Sequence, residues 1–497
     1  MIINAKQKLE NEKLHSNTTS QKHFCGRLLL FDARKPTKAF GLPLTLPILN
    51  SPRYQTNNTR VIGNLHQLGT LPHRSLQALS NKYGPLMLLH LGQSPTLVVS
   101  SAEMAREMMK THHDVVFSNR PNSTAANILL YGCQDLGFAP YGDYWRHARK
   151  ISVQQLLSNK RVQSFQYVRD EEVAFLINKI RRSCFNNGGS SVDLTEMIQA
   201  VINNIVSRCV LGRRTEEENG RSKFGELARR LMVQFTAFCF GDMFPCLGWI
   251  DVLTGHIGRL NATFRALDAF FDQVIEEHMI SSESDNDDRD GKDFDMFVGG
   301  TDSTSTTIEW AMAELVKNPS MMKKAREEVR NAVKNKLEID MEDIDGMNYL
   351  KCVIKETLRL HAPAPLLVPR ETSASVRFAG YDIPAKTCVF VNAWAIQRDP
   401  KQWHRPEEFI PERFENNCVD FKGQDFQFIP FGAGRRGCPG LSFGVAAAEF
   451  VLANLLYSFD WKLPGGAVAD SLDMSEVNGL TVRKKLPLHL LPTFYSP

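Results

Sequence analysis

Paired cysteines are missing from this chain: ten cysteines, at 25, 133, 184, 209, 239, 246, 352, 388, 418 and 438, include no C-x-x-C. That excludes the usual zinc and dithiol spacings. Ten cysteines in 497 residues are also too few for a disulfide scaffold. Strong charge of either sign is missing too. A net charge of +4 with no basic tract gives no reason to expect a nucleic acid partner. Long apolar runs are missing from the first 60 residues, where LLLF at 28–31 is the longest. A spanning helix needs about 20 apolar residues, so no membrane anchor and no signal peptide is expected there. Residues 1–60 read as an irregular polar tail, with RLLLFDARKPTKAFGLPLTLPIL at 27–49 as the alternative of a degenerate anchor and hinge. No Pro/Gly/Ser linker divides the middle, and no internal repeat is present. No G-x-G-x-x-G follows a predicted strand, so no dinucleotide site is expected.

What the chain does have is FGAGRRGCPG at 431–440, followed by the apolar LSFGVAAAEFVLANLLYSF from Leu441. The second segment predicts a helix, which places Cys438 just before a helix N-terminus. That dipole end, with Arg435 and Arg436, is expected to favour thiolate over thiol. A thiolate serves as nucleophile or as metal ligand. A nucleophile needs a base, and the nearest preceding histidine is His404. A ligand accounts for more of the segment. Glycines 432, 434, 437 and 440 permit close approach of a flat, bulky partner. Phe431 would cover it and Arg436 would pair with a carboxylate on it. A thiolate beneath a planar dianion describes axial ligation of haem iron. The plain alternative is a glycine-rich turn with a buried cysteine.

Phe431, Gly434, Arg436, Cys438 and Gly440 complete the pattern F-x-x-G-x-R-x-C-x-G. It resembles the haem-binding signature of the cytochromes P-450. Other elements of that family follow in chain order: YGDYWRHARK at 141–150 as the W-x-x-x-R helix, GGTDSTSTTIEW at 299–310, KETLRLH at 355–361, and PERF at 411–414. Phrases such as LPHRSLQALSNKYGPLM resemble the plant A-type microsomal group (71 clan). The resemblance implies a mostly α fold with a smaller β part, as a single catalytic domain over 61–497. It implies a haem-thiolate monooxygenase with haem b held by Cys438, and Trp145, Arg149, Arg370 and Arg436 on its propionates. It assigns Glu356, Arg359 and Arg413 to a structural ion cluster, and Asp302, Ser303 and Thr304 to proton delivery. The family usually has threonine where Ser303 stands. The plain alternative for these hydroxyls is bonding back to their own helix.

The resemblance also implies a separate NADPH-cytochrome P-450 reductase, with Arg146, Lys150, Lys160, Arg161 and Arg435 as a basic docking face. A small apolar substrate, a terpenoid, phenylpropanoid or indole derivative, and O2 complete the reaction. Its chamber would draw on 121–138, 233–248 with Phe235, Phe238, Phe240 and Phe244, 297–303, Leu366–Val368 and Gly479–Thr481. The family resides on the cytosolic face of the endoplasmic reticulum, an expectation this anchor-poor chain departs from. A second departure lies after the acidic run SSESDNDDRDGK at 281–292, an expected solvated loop. Only DFDMFV precedes Gly299. One helix over 295–317, roughly 34 Å long and ended by Pro319, is predicted, with the family's preceding turns missing. A haem-binding pseudoenzyme or faulty gene product is therefore one alternative. A haem-thiolate isomerase or dehydratase is another, although such enzymes need no Asp302–Ser303 relay.

Overall fold

A computed structural model describes residues 62–495, apart from 111–112, 187–190, 213, 215–222, 283–293, 335 and 337–338. The expected tail 1–60 and nearly all of the acidic run 281–292 lie outside the described residues.

Helix α1, Pro72–Tyr83, starts on proline and stops at Gly84, whose φ of 110° suits glycine. LMLLHL and SPTLVV then form the hairpin β1 (Leu86–Leu91) and β2 (Ser94–Val99), in register from Leu86↔Val99 to Leu91↔Ser94. Helices α2 (Ala102–Lys110), α3 (Thr124–Leu129), α4 (Asp143–Ile151) and α5 (Gln166–Asn186) follow. Asp193 caps α6, Leu194–Leu211, by accepting from the Glu196 N–H. Next come α7 (Lys223–Gln234), α8 (His256–Ser282), α9 (Phe294–Lys317), α10 (Pro319–Val333) and α11 (Asn348–Leu360). Strands β3 (Arg370–Glu371) and β4 (Cys388–Val391) return to the hairpin, giving the order β1-β2-β4-β3. Only β2 and β4 run parallel.

The last long helix, α12 (Leu441–Ser458), is apolar on every side, which marks a helix meant for the interior. It packs on α5, α9, α10 and α11. By length and hydropathy it could cross a membrane, but 61% of it is buried inside the fold. Helix α9 is its partner across the core, with Ile308, Trp310, Ala311, Met312, Ala313 and Leu315 fully buried. It lies along α6 and over α12. It begins at Phe294, one residue from the predicted start, and ends where Pro319 opens the next helix. Gly299 therefore stands in its second turn and is exposed. The chain is mostly α with a small β part, as expected.

Candidate active site

The cysteine loop closes on itself. The Cys438 N–H donates to the Phe431 carbonyl at 2.9 Å, and the Gly437 N–H donates to Gly434 at 3.0 Å. Gly434 has a φ of 68°, and a Cβ there would collide with the Met109 carbonyl at the end of α2. Close approach by α2, rather than by a ligand, explains that glycine. Cys438 lies deep in the molecule, and burial pushes its thiol pKa upward. The Gly440 N–H and the Arg149 guanidinium pull the other way without prevailing. That direction holds for the sulfur with no metal beside it. Arg435 is engaged by Asp114 at 3.3 Å, and Arg436 by backbone carbonyls, so neither neutralises the sulfur. Deep as it is, Cys438 keeps an open surface.

Four of the expected binding residues gather around this loop. Arg149 donates to the Gly437 carbonyl at 2.7 Å. Arg436 stacks 4.1 Å from the centre of the Trp145 ring and donates to the Ser118 and Ala139 carbonyls at 2.8 and 2.6 Å. The Trp145 indole donates to the Leu136 carbonyl at 3.0 Å. Arg370 donates to the Ala433 carbonyl at 3.1 Å. Arg120 escaped the sequence reading. It donates to Gly137, Val368 and Pro369 carbonyls at 2.7, 2.7 and 2.6 Å, joining three distant loops.

Burial, reinforced by repulsion from Arg370, pulls Arg436 down to about 9. Burial brings Arg370 to about 10. Arg120 is lowered by burial and then by both of the others. Two carboxylates oppose this surplus: Asp114, 3.7 Å from Arg370, and Asp135. Burial pushes Asp135 up to about 6, and its Oδ2 has no hydrogen-bond partner. An open sulfur beside a buried excess of guanidiniums fits a flat metal-bearing dianion such as haem.

Behind the loop, Glu356 and Arg359 are fully buried and paired twice, at 2.7 and 2.8 Å. Arg413 Nε and the Ile410 N–H also donate to Glu356, at 2.9 and 2.8 Å. Arg359 continues to the Gln397, Pro406 and Glu408 carbonyls.

On the opposite side, α9 crosses α12 closely: a Cβ on Gly444 would sit 3.3 Å from Thr304 Oγ1. Ser303 Oγ donates to the Gly299 carbonyl at 2.7 Å, and Ser305 and Thr307 bond back in the same way. The back-bonded arrangement is thus present. Asp302 is buried, which raises its pKa against the pull of the Thr481 hydroxyl, Arg229 and Arg483. Among the described residues no hydrogen bond joins Asp302 to Ser303. The structure brings Phe138 and Phe235 into a stack, with ring centres 4.8 Å apart. It joins Leu480 to the end of α7 through the Met232 carbonyl. Phe238 lies on the surface and Phe244 packs against Gly92, away from that stack. Arg146, Lys150, Lys160, Arg161 and Arg435 are all exposed.

An open cysteine on a glycine-rich loop, ringed by buried guanidiniums, is a ligand set suited to a haem-thiolate protein. The family model for cytochrome P450 matches residues 52–296 and 293–491. The chain is 53% identical to phenylacetaldehyde oxime monooxygenase of Prunus mume, over 88% of each chain. It is 51% identical to cytochrome P450 71A1 of Persea americana, over 86% of this chain and 91% of that one. Against strychnine-11-hydroxylase of Strychnos nux-vomica the identity is 46%, over 87% and 89%. The chain belongs to the cytochrome P450 family, oxidoreductases that incorporate oxygen, and with these relatives to its plant A-type group. The family match comes as two stretches that overlap at 293–296. The alignment to the Prunus enzyme runs over 463 positions yet takes in only 88% of these 497 residues. That relative therefore carries internal positions with no counterpart here.

Proposed function

We propose that residues 61–497 form one catalytic domain inserting one oxygen atom of O2 into a medium-sized apolar plant metabolite. Electrons come from NADPH through a separate reductase. The observation that carries this reading is the open Cys438 beside buried arginines that outnumber the carboxylates facing them. Cys438 would hold the iron of haem b through its sulfur. Phe431, Gly434 and Gly440 shape its loop. Trp145, Arg149, Arg370 and Arg436 hold the propionates, and Arg120 joins them. Bound thiolate-ligated haem supplies reductive activation of O2. The residues of the chain do the rest. Glu356, Arg359 and Arg413 hold the loop's support rigid. Ser303 holds a proton at Oγ, Asp302 resupplies it by swinging from Thr481, and Thr304 fixes the helix against α12. Phe138 and Phe235 exclude water and offer an aromatic wall. That wall, and relatives named for an aromatic oxime and an alkaloid, support an aromatic or nitrogen-bearing substrate. The exposed basic residues dock the reductase at the endoplasmic reticulum surface.

A second reading is favoured by the division of the family match into two stretches and by the exposed Gly299: haem is held but turnover is impaired. One experiment addresses both. The reduced, carbon-monoxide-bound protein should show the strongly red-shifted band of thiolate ligation, and Cys438→Ala should lack it. Retention of the band in the mutant sinks the assignment. Product formation with reductase then separates an active enzyme from an impaired one.

A further inference from the structure

We propose that Asp114 positions the Cys438 loop and, by balancing its cations, sets how readily the cofactor site accepts an electron. The proposal rests on the haem-thiolate reading of Cys438. Asp114 follows α2 and is buried. Its Oδ2 accepts the Arg435 backbone N–H at 3.2 Å and lies 3.3 Å from Arg435 Nε. Its Oδ1 lies 3.7 Å from Arg370 and accepts the Ser118 hydroxyl at 3.3 Å. The Ser118 carbonyl in turn holds Arg436.

Two successive loop residues are thus held from one side. Gly434 is held by lack of room against Met109, and Arg435 by a hydrogen bond to Asp114. Both lie within four residues of Cys438. Among the described residues no other carboxylate pairs with Arg370 or Arg435. A charge-assisted bond to a backbone N–H fixes a loop more firmly than a neutral one. A buried anion beside a redox centre also disfavours adding an electron, because net charge helps set the potential. Without it, Arg370 and Arg435 stand uncompensated.

The test is a potentiometric titration of the haem-loaded protein with chemical reductant, so reductase docking plays no part. Asp114→Asn keeps an acceptor for the Arg435 N–H but removes the charge. It should retain the red-shifted carbon monoxide band and shift the reduction equilibrium about tenfold toward the reduced form, about 59 mV for one electron. Arg435→Gln, at a half-exposed side chain, should shift it the opposite way. Asp114→Ala should also speed hydrogen exchange of the Arg435 amide in the full chain and hasten loss of the band. A purely packing role predicts a silent Asn variant. The proposal is overturned by Asn and Gln variants that titrate like the wild type, or by unchanged Arg435 exchange in the Ala variant. A wild type with no red-shifted band means instead that the reading of Cys438 has failed. Arg435 exchange then decides whether Asp114 anchors the loop.

Discussion

Removing the Glu356 carboxylate would strand Arg359, a guanidinium with no exposed surface. Breaking a buried pair costs about 3–5 kcal/mol, because the remaining charge is uncompensated. Glu356→Ala should therefore yield apoprotein or aggregate, read as absent haem absorbance in the soluble fraction. A stable, haem-replete mutant counts against a structural role. Ser303 makes a different prediction. Ser303→Ala should raise the peroxide released per NADPH consumed. Ser303→Thr, whose methyl restricts the rotamer, should lower it, and equal ratios in all three proteins leave the hydroxyl without a role. Cys438, Glu356, Arg359 and Arg413 were legible because short spacings carry their meaning. Arg120, Asp114 and Asp135 were not. Arg120 earns its place by reaching Val368, 248 residues away, and no local spacing records that. The partners of Arg435 and Arg436 were hidden for the same reason: the two are adjacent to Cys438 in sequence but turn to Asp114 and to the Ser118 and Ala139 carbonyls.

At the scale of elements, α9 was legible nearly to the residue, since Pro319 fixes its end and its apolar positions fix its depth. The partners of its polar side chains were hidden, because they come from α6 and the C-terminal strands. Glu309 shows the consequence. It accepts the Thr195 hydroxyl at 2.6 Å, and burial pushes it up to about 7 despite Lys484, Arg483 and Arg229. A carboxyl raised on folding favours the folded state while it is protonated. Its contribution is complete below the unfolded value, 4.5, and is lost as pH rises through about 7. The loss amounts to roughly 3 kcal/mol. Glu309→Gln keeps the acceptor for Thr195. Its denaturant midpoint should change less between pH 5 and 8 than that of the wild type, and should exceed the wild type at pH 8. Parallel pH profiles would show that Glu309 ionises freely in the fold.

For the whole molecule, the division of the family match into two stretches meeting at 293–296 bears on more than any single residue. The proximal side keeps its loop, its cations and its ion cluster. Among the described residues, the long distal helix runs from Phe294, five residues before Gly299. Burial of a large apolar side chain is worth about 1.5–3 kcal/mol, and native stability is about 5–15 kcal/mol, so losing a few turns would remove a large fraction of the whole. Haem retention should outlast coupled turnover. Expressed beside a version with the family's turns restored, and with the same reductase, this chain should release more peroxide per NADPH. Equal ratios would show that the shorter distal side is complete as it stands.

The order of synthesis adds a constraint of its own. Helix α12 fills the space between α5, α9, α10 and α11, yet it is among the last segments to leave the ribosome. Until it emerges, those four helices present apolar faces with nothing to cover them. The cysteine that precedes it emerges just as late. Nascent chains of this protein should therefore depend on holding chaperones for most of their synthesis, and core closure and cofactor capture should come together at its end.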